Sequence, residues 1–230
     1  MHYDDHRTPQ RGRVVVVLEG PCFAGKTTLA GALADRFGAT IAPEYADVAA
    51  LPPFPPSDEA AVTAALKHFL MVEHSRAARA AGTVVVCDRS PVTLIAFEHA
   101  MAALAVPRDP VGAVEMFTRA AERGSILVPD GYVHLTITTE EAAARQQRRG
   151  PVAAHLAHPR VQALMREACE FYLRQVPPQR CLPLDGDQPL AEAVQATAAF
   201  LEGLTATTAP PPPSWRCLLP LVTAATGGQR

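Results

Sequence analysis

Gly20-Pro21-Cys22-Phe23-Ala24-Gly25-Lys26-Thr27 fits the spacing G-x-x-x-x-G-K-[ST], a loop whose backbone N–H groups cradle a polyphosphate. The chain holds two lysines against nineteen arginines, and one of the two stands in this octapeptide. A compact ammonium fits inside a ring of backbone donors where a broad guanidinium does not. The motif expects Gly20, Cys22, Phe23, Ala24, Gly25 and Thr28 to line the phosphates through the backbone. Lys26 is expected to reach the β- and γ-phosphates, and Thr27 to ligate Mg²⁺. A second constellation is Val84-Val85-Val86-Cys87-Asp88-Arg89-Ser90. An aspartate at the carboxyl end of a buried strand stands where a parallel sheet places its ligands. Asp88 can hold the water shell of the metal, and Arg89 adds a planar fork suited to phosphate.

The surrounding elements must position these groups. Val14-Val15-Val16-Val17-Leu18 is a continuous apolar run of the kind that is buried on both faces of a sheet. Thr28 to Phe37 has helical spacing and is stopped by Gly38, so the loop sits between strand and helix. The helix N-terminus then faces the phosphates. Further strands are expected at Thr40–Ala42 (ending near Glu44), Thr83–Cys87, Tyr132–Ile137 and Arg180–Leu184. Helices are expected from Asp58 to about Ala80 with Ser57 as cap, from Pro91 through Ala105, and over Pro110–Glu122, Glu140–Arg149, Pro159–Gln175 and Pro189–Leu201. Strands alternating with helices imply an α/β fold, a five-stranded parallel sheet with helices on both faces.

Three regions are expected: a disordered arm over 1–12, one domain over 13–204, and a Pro-rich linker with an apolar tail over 205–230. The tail, which carries the only tryptophan, Trp215, either frays or docks on the body or on a second subunit; a homodimer is among the expected states. Apolar content of 48% is enough for a real core. A net charge of −2 makes no electrostatic case for nucleic acid. No apolar run approaches the ~20 residues that span a bilayer. Five scattered cysteines without C-x-x-C suggest reduced thiols and a cytoplasmic setting.

Leu18-Glu19-Gly20, Gly25-Lys26-Thr27-Thr28 and Asp88-Arg89-Ser90 resemble the thymidylate kinase and deoxynucleoside kinase group of P-loop kinases. Thymidylate kinases carry an acidic residue, then Arg and Tyr, at the second site and deoxynucleoside kinases Glu-Arg-Ser; this chain takes Asp from one and Ser from the other. Met165-Arg166-Glu167 to Tyr172 and Leu184-Asp185-Gly186-Asp187 resemble the last helix–strand passage of thymidylate kinases. The resemblance spans roughly residues 14–204 and implies a P-loop kinase fold, ATP and Mg²⁺ as cofactors, and a small-molecule phosphate acceptor. It implies that Glu44, in Pro43-Glu44-Tyr45, lies near an attacking hydroxyl as base or orienting group. It also implies an Arg-rich lid in which Arg145 and Arg149 stabilise the transferring phosphoryl and Arg148 contacts the nucleotide.

The acceptor stays open between a nucleoside monophosphate and the hydroxyl of a nucleoside or another natural product. The Arg-Glu-Pro stretch with following glycines, which thymidylate kinases carry beside Glu44, is missing. Arg89, joined by Arg76, would cradle a monophosphate; Tyr45, Phe54, Phe69 and Phe97 are candidate ring walls, with Glu73 and His74 near them. A GTPase is not expected, because Asn-Lys-x-Asp is absent. A P-loop ATPase or a nucleotide-binding regulator is the rival class.

Overall fold

β1 (Val14–Glu19) lies at the centre of a five-stranded sheet. The computed structural model describes residues 13–149 and 153–227; the expected arm over 1–12 lies outside the described residues. Around β1 stand β2 (Thr40–Ala42), β3 (Val84–Asp88), β4 (Gly131–Thr136) and β5 (Cys181–Asp185), in the order β2-β3-β1-β4-β5 with every pairing parallel. Pro183 is tolerated because β5 is an edge strand.

The strands are apolar on both faces because both are covered. Val15, Val17, Val85, Cys87 and Tyr132 face one core, and Val16, Leu18, Val86, Val133 and Leu135 face the other. The second core is closed by α1 (Lys26–Phe37) and by a helix near the carboxyl end, Leu190–Ala206. The first takes the remaining layer. α2 (Tyr45–Val48) is a single turn that periodicity does not reveal. α3 (Glu59–Arg79), α4 (Pro91–Ala103) and α5 (Pro110–Glu122) follow. Asp58, not Ser57, caps α3: its carboxylate accepts from the Ala61 N–H at 2.8 Å. α4 is buried almost all round, as a helix with apolar residues on every side must be. Beyond β4 come α6 (Thr139–Arg149), with no buried residue, the short α7 (Ala154–Ala157), α8 (Pro159–Leu173) and α9 (Leu190–Ala206).

The tail docks on the body. Trp215, Leu218 and Val222 are buried in the first core, carried by a 3-10 turn and by α10 (Leu219–Gly227). The Arg180 guanidinium holds the Ala209 carbonyl at 2.8 Å, and the Tyr172 hydroxyl donates to the Pro213 carbonyl at 2.9 Å. The Pro-rich stretch therefore crosses the body as a fastened strap.

Candidate active site

The carboxyl ends of β1, β2 and β3 converge on the phosphate-binding loop. The loop leaves β1 through Gly20 at φ 141°, where a Cβ would lie 2.2 Å from the Leu135 carbonyl oxygen, so only glycine fits. It enters α1 through Gly25 at φ 93°. The N-terminal N–H groups of α1 therefore open onto the loop.

Lys26 is buried and spans the loop, its ammonium donating to the Gly20 carbonyl at 2.9 Å and the Pro21 carbonyl at 2.6 Å. Burial, and next the Arg89 charge, lower its pKa to about 8. Thr27 Oγ1 donates to Asp88 Oδ2 at 2.6 Å. Asp88 is 1% exposed, and its Oδ1 is buried without a hydrogen-bond partner. A buried carboxylate oxygen left unpaired is costly. Beside a threonine hydroxyl at the head of α1, this pair of oxygen donors fits a hard divalent cation such as Mg²⁺.

Glu44 and Arg89 meet across the crevice, Arg89 Nε donating to Glu44 Oε1 at 2.5 Å. Burial raises the Glu44 pKa, but the Arg89 guanidinium and the charges of Lys26 and Arg149 outweigh it and hold the carboxyl below its ordinary range. Arg89 itself sits at φ 69°, a strained left-handed position for a side-chain-bearing residue. Its remaining nitrogens reach the Gly20 carbonyl at 3.3 Å and Cys22 Sγ at 3.6 Å. Cys22 thus contributes its thiol as well as its backbone, and Gln162 of α8 approaches that sulfur at 3.7 Å.

Two cavities flank the loop. A narrow one of about 30 Å³ is lined by Gly20, Cys22, Arg89, Thr93, Gln162 and Arg166, among others. A cleft of about 620 Å³ lies on the other side, between Phe23, Ala24, Gly25 and Thr28 of the loop and Arg145, Arg148 and Arg149 of α6, with Asp185, Gly186 and Leu190 beyond. Arg145 bridges it: its guanidinium donates to the Phe23 carbonyl at 3.1 Å, the Gly186 carbonyl at 2.9 Å and Glu141 at 2.7 Å. Arg148 pairs with Glu141 at 3.0 Å, and Arg149 presents its charge towards Glu44.

Two expected contacts, those of Arg76 and Tyr45, are corrected by this geometry. Arg76 does not face the crevice: its side chain is 1% exposed, its two terminal nitrogens are taken by carbonyls and Glu73, and its Nε is buried without a partner. Tyr45 is also interior, its hydroxyl donating to Glu73 and its ring edge-on to Phe69 at 5.7 Å. Phe69 is packed on the core. Phe97 belongs to a separate cluster, where the Phe54 ring stacks on His155 at 3.8 Å and the Arg108 guanidinium lies 5.1 Å from both Phe54 and Phe97. The sequence hides these outcomes because an aromatic at helical spacing reads the same whether it faces the core or a pocket.

Glu19 was legible only as part of a motif, yet it is wholly buried below the loop. It accepts from Ser90 N at 3.1 Å, Ser90 Oγ at 2.6 Å and Thr93 Oγ1 at 2.6 Å. It thereby joins the end of β1 to the start of α4. Burial raises its pKa, against the pull of those donors. An acid closing an apolar strand was the available signal. Thr93, Gln162 and Arg166 had none, since only the packing of α4 and α8 brings them to the loop.

A phosphate-binding loop leaving the central strand of a five-stranded parallel sheet, with Asp88 closing β3 and Glu44 just past the end of β2, is the arrangement of a P-loop kinase fold. The chain belongs to the AAA domain family, whose model matches residues 15–177. No curated protein sequence matches it. Among solved structures it is similar to thymidylate kinase from Candida albicans, at 14% identity and a TM-score of 0.60, over 83% of this chain and 91% of that one. It is also similar to deoxyadenosine kinase from M. mycoides with bound dATP, at 15% identity and a TM-score of 0.62, over 82% of this chain and 100% of that one. The same enzyme with dCMP and dCDP gives 16% identity and a TM-score of 0.62, over 82% of this chain and 99% of that one. These likenesses are of fold.

Proposed function

We propose that the protein transfers the γ-phosphoryl group of Mg²⁺-bound ATP to the hydroxyl of a nucleoside-like small molecule. The observation that carries this reading is the Glu44–Arg89 pair at 2.5 Å, on the loop side of the crevice. A carboxylate held ionised there can take a hydroxyl proton or aim the hydroxyl. An arginine already neutralised by that carboxylate is a poor cradle for a phosphate dianion. The nucleotide-kinase and nucleoside-kinase folds it resembles support the class.

In this reading the acceptor hydroxyl gives its proton to Glu44 as its oxygen bonds to the γ-phosphorus. The bond from that phosphorus to the β–γ bridging oxygen breaks, and ADP leaves. Lys26 turns from the Gly20 and Pro21 carbonyls to the β- and γ-phosphate oxygens, and the N–H groups of Gly25 to Thr28 hold the phosphate chain. Thr27 and Asp88 would hold Mg²⁺, which supplies charge neutralisation at those oxygens. The donor's nucleoside occupies the wide cleft, with Arg145 and Arg148 over it as a lid on α6, and Arg149 reaches the transferring group.

A monophosphate acceptor is the second reading, favoured by Arg166 at the rim of the narrow cavity beside Arg89. The test is a coupled ADP assay over deoxynucleosides, deoxynucleoside monophosphates and hydroxyl-bearing antibiotics, with wild type and Glu44→Gln. A hydroxyl acceptor whose kcat falls about 10²–10⁴-fold in Glu44→Gln at little change in KM supports the proposal. Full kcat in that variant refutes the role of Glu44 and moves monophosphates to the front. ADP release that no acceptor stimulates leaves only an ATPase or a binding protein.

A further inference from the structure

Arg76 is a guanidinium shut inside the protein, and all that it touches leads back to Glu44 and Arg89. Nη2 lies 3.1 Å from the Ala42 carbonyl, 3.1 Å from the Asp88 carbonyl and 2.8 Å from the Arg89 carbonyl. Nη1 donates to Glu73 Oε1 at 2.8 Å, and the same oxygen accepts from the Tyr45 hydroxyl. The guanidinium carbon lies 4.9 Å from the centre of the Tyr45 ring. Ala42 stands two residues before Glu44 and Tyr45 directly after it. The Asp88 and Arg89 carbonyls lie either side of the strained Arg89 peptide unit. One planar fork therefore brackets both partners of the ion pair from behind, on two strands that run side by side.

We propose that Arg76 is a positioning residue that sets the distance and alignment of Glu44 and Arg89, and through them the acceptor end of the reaction. The inference rests on the reading that this pair acts on the acceptor. Burying a charged arginine is costly unless its donors are met, and here Nη1 and Nη2 are met while the buried Nε has no hydrogen-bond partner. A purely apolar packing residue would fill the same space without that requirement. What the guanidinium adds is a fixed set of directions: carbonyls on β2 and β3 are held by one rigid group. Lysine keeps the charge but has no planar fork, so Arg76→Lys separates charge from geometry.

Glu44 reports the outcome, since the charged groups facing it are Arg89 from the end of β3, Lys26 from the loop and Arg149 from α6. When Arg89 is loosened, Glu44 loses its nearest cation and its titration midpoint moves up. In Arg76→Lys, ¹³C NMR of the Glu44 carboxyl, assigned by its loss in Glu44→Gln, should show that upward movement. With deoxyadenosine or thymidine monophosphate, whichever wild type phosphorylates, kcat should fall about 10- to 100-fold. The KM for ATP should change less than kcat, because Arg76 touches no residue of the phosphate loop and meets Asp88 only at its backbone carbonyl. The acid limb of kcat should move with Glu44. Should Arg76→Lys fail to fold, Glu73→Gln keeps the shape and weakens the anchor, and is read by the same titration. A folded variant with the Glu44 midpoint unmoved overturns the proposal. The titration needs no acceptor, so a failure of the kinase reading and a failure of Arg76 as a positioning residue are told apart.

Discussion

Lys26 is buried as an ammonium with two carbonyls for company, and it is held charged only to about pH 8. Nucleotide binding depends on that charge, so affinity for the empty protein should fall as pH rises through about 8. At about pH 9 roughly one molecule in ten retains the proton, and a magnesium–ATP analogue should bind about tenfold more weakly than at about pH 7. Titration calorimetry in two buffers of different ionisation enthalpy should show proton uptake on binding, because phosphate restores the Lys26 proton. The stability effect runs the opposite way. A lysine whose folded pKa lies below its unfolded value of 10.5 binds fewer protons when folded, between about pH 8 and 10.5. Over that window wild type should therefore gain stability relative to Lys26→Met, by about 3 kcal/mol for the whole gap. Lys26→Met should bind the analogue weakly with no pH dependence. Wild-type affinity that is flat across this range, with no proton uptake, would refute the account of Lys26.

Two further outcomes follow from single contacts. Asp88→Asn keeps an acceptor for the Thr27 hydroxyl but removes the charge beside the unpartnered oxygen; the Mg²⁺ concentration needed for half-maximal ATP binding should rise about tenfold or more. An unchanged Mg²⁺ titration would dismiss Asp88 as a metal-holding group. Trp215→Ala empties a buried slot against α5 and α8 and should cost about 3–5 kcal/mol in urea unfolding. A loss under about 1 kcal/mol would mean that the tail does not brace the body.

The sheet was legible because Val14–Leu18 and its neighbours are apolar without alternation, which only a doubly covered parallel strand requires. The loop was legible because its glycines and its lysine each answer a local geometric demand, as Gly20 does against Leu135. Asp88, Glu44 and Arg89 could be placed at strand ends from the strand pattern alone. What the sequence could not show is which way long side chains turn once helices pack. Arg76 and Arg89 read alike as phosphate-binding forks, yet α3 turns one inward onto three carbonyls while β3 delivers the other to the crevice. Tyr45 follows Glu44 directly, and the single turn of α2 sends the two side chains to opposite environments.

The claim of phosphoryl transfer is tested most directly by following both products. Mass spectrometry of the protein with magnesium–ATP and an acceptor from the screen should show one phosphorylated acceptor formed for each ADP released. Little inorganic phosphate should accumulate, and product should fall away in Glu44→Gln. ADP and inorganic phosphate released in step, at the same rate whether or not an acceptor is present, would contradict it.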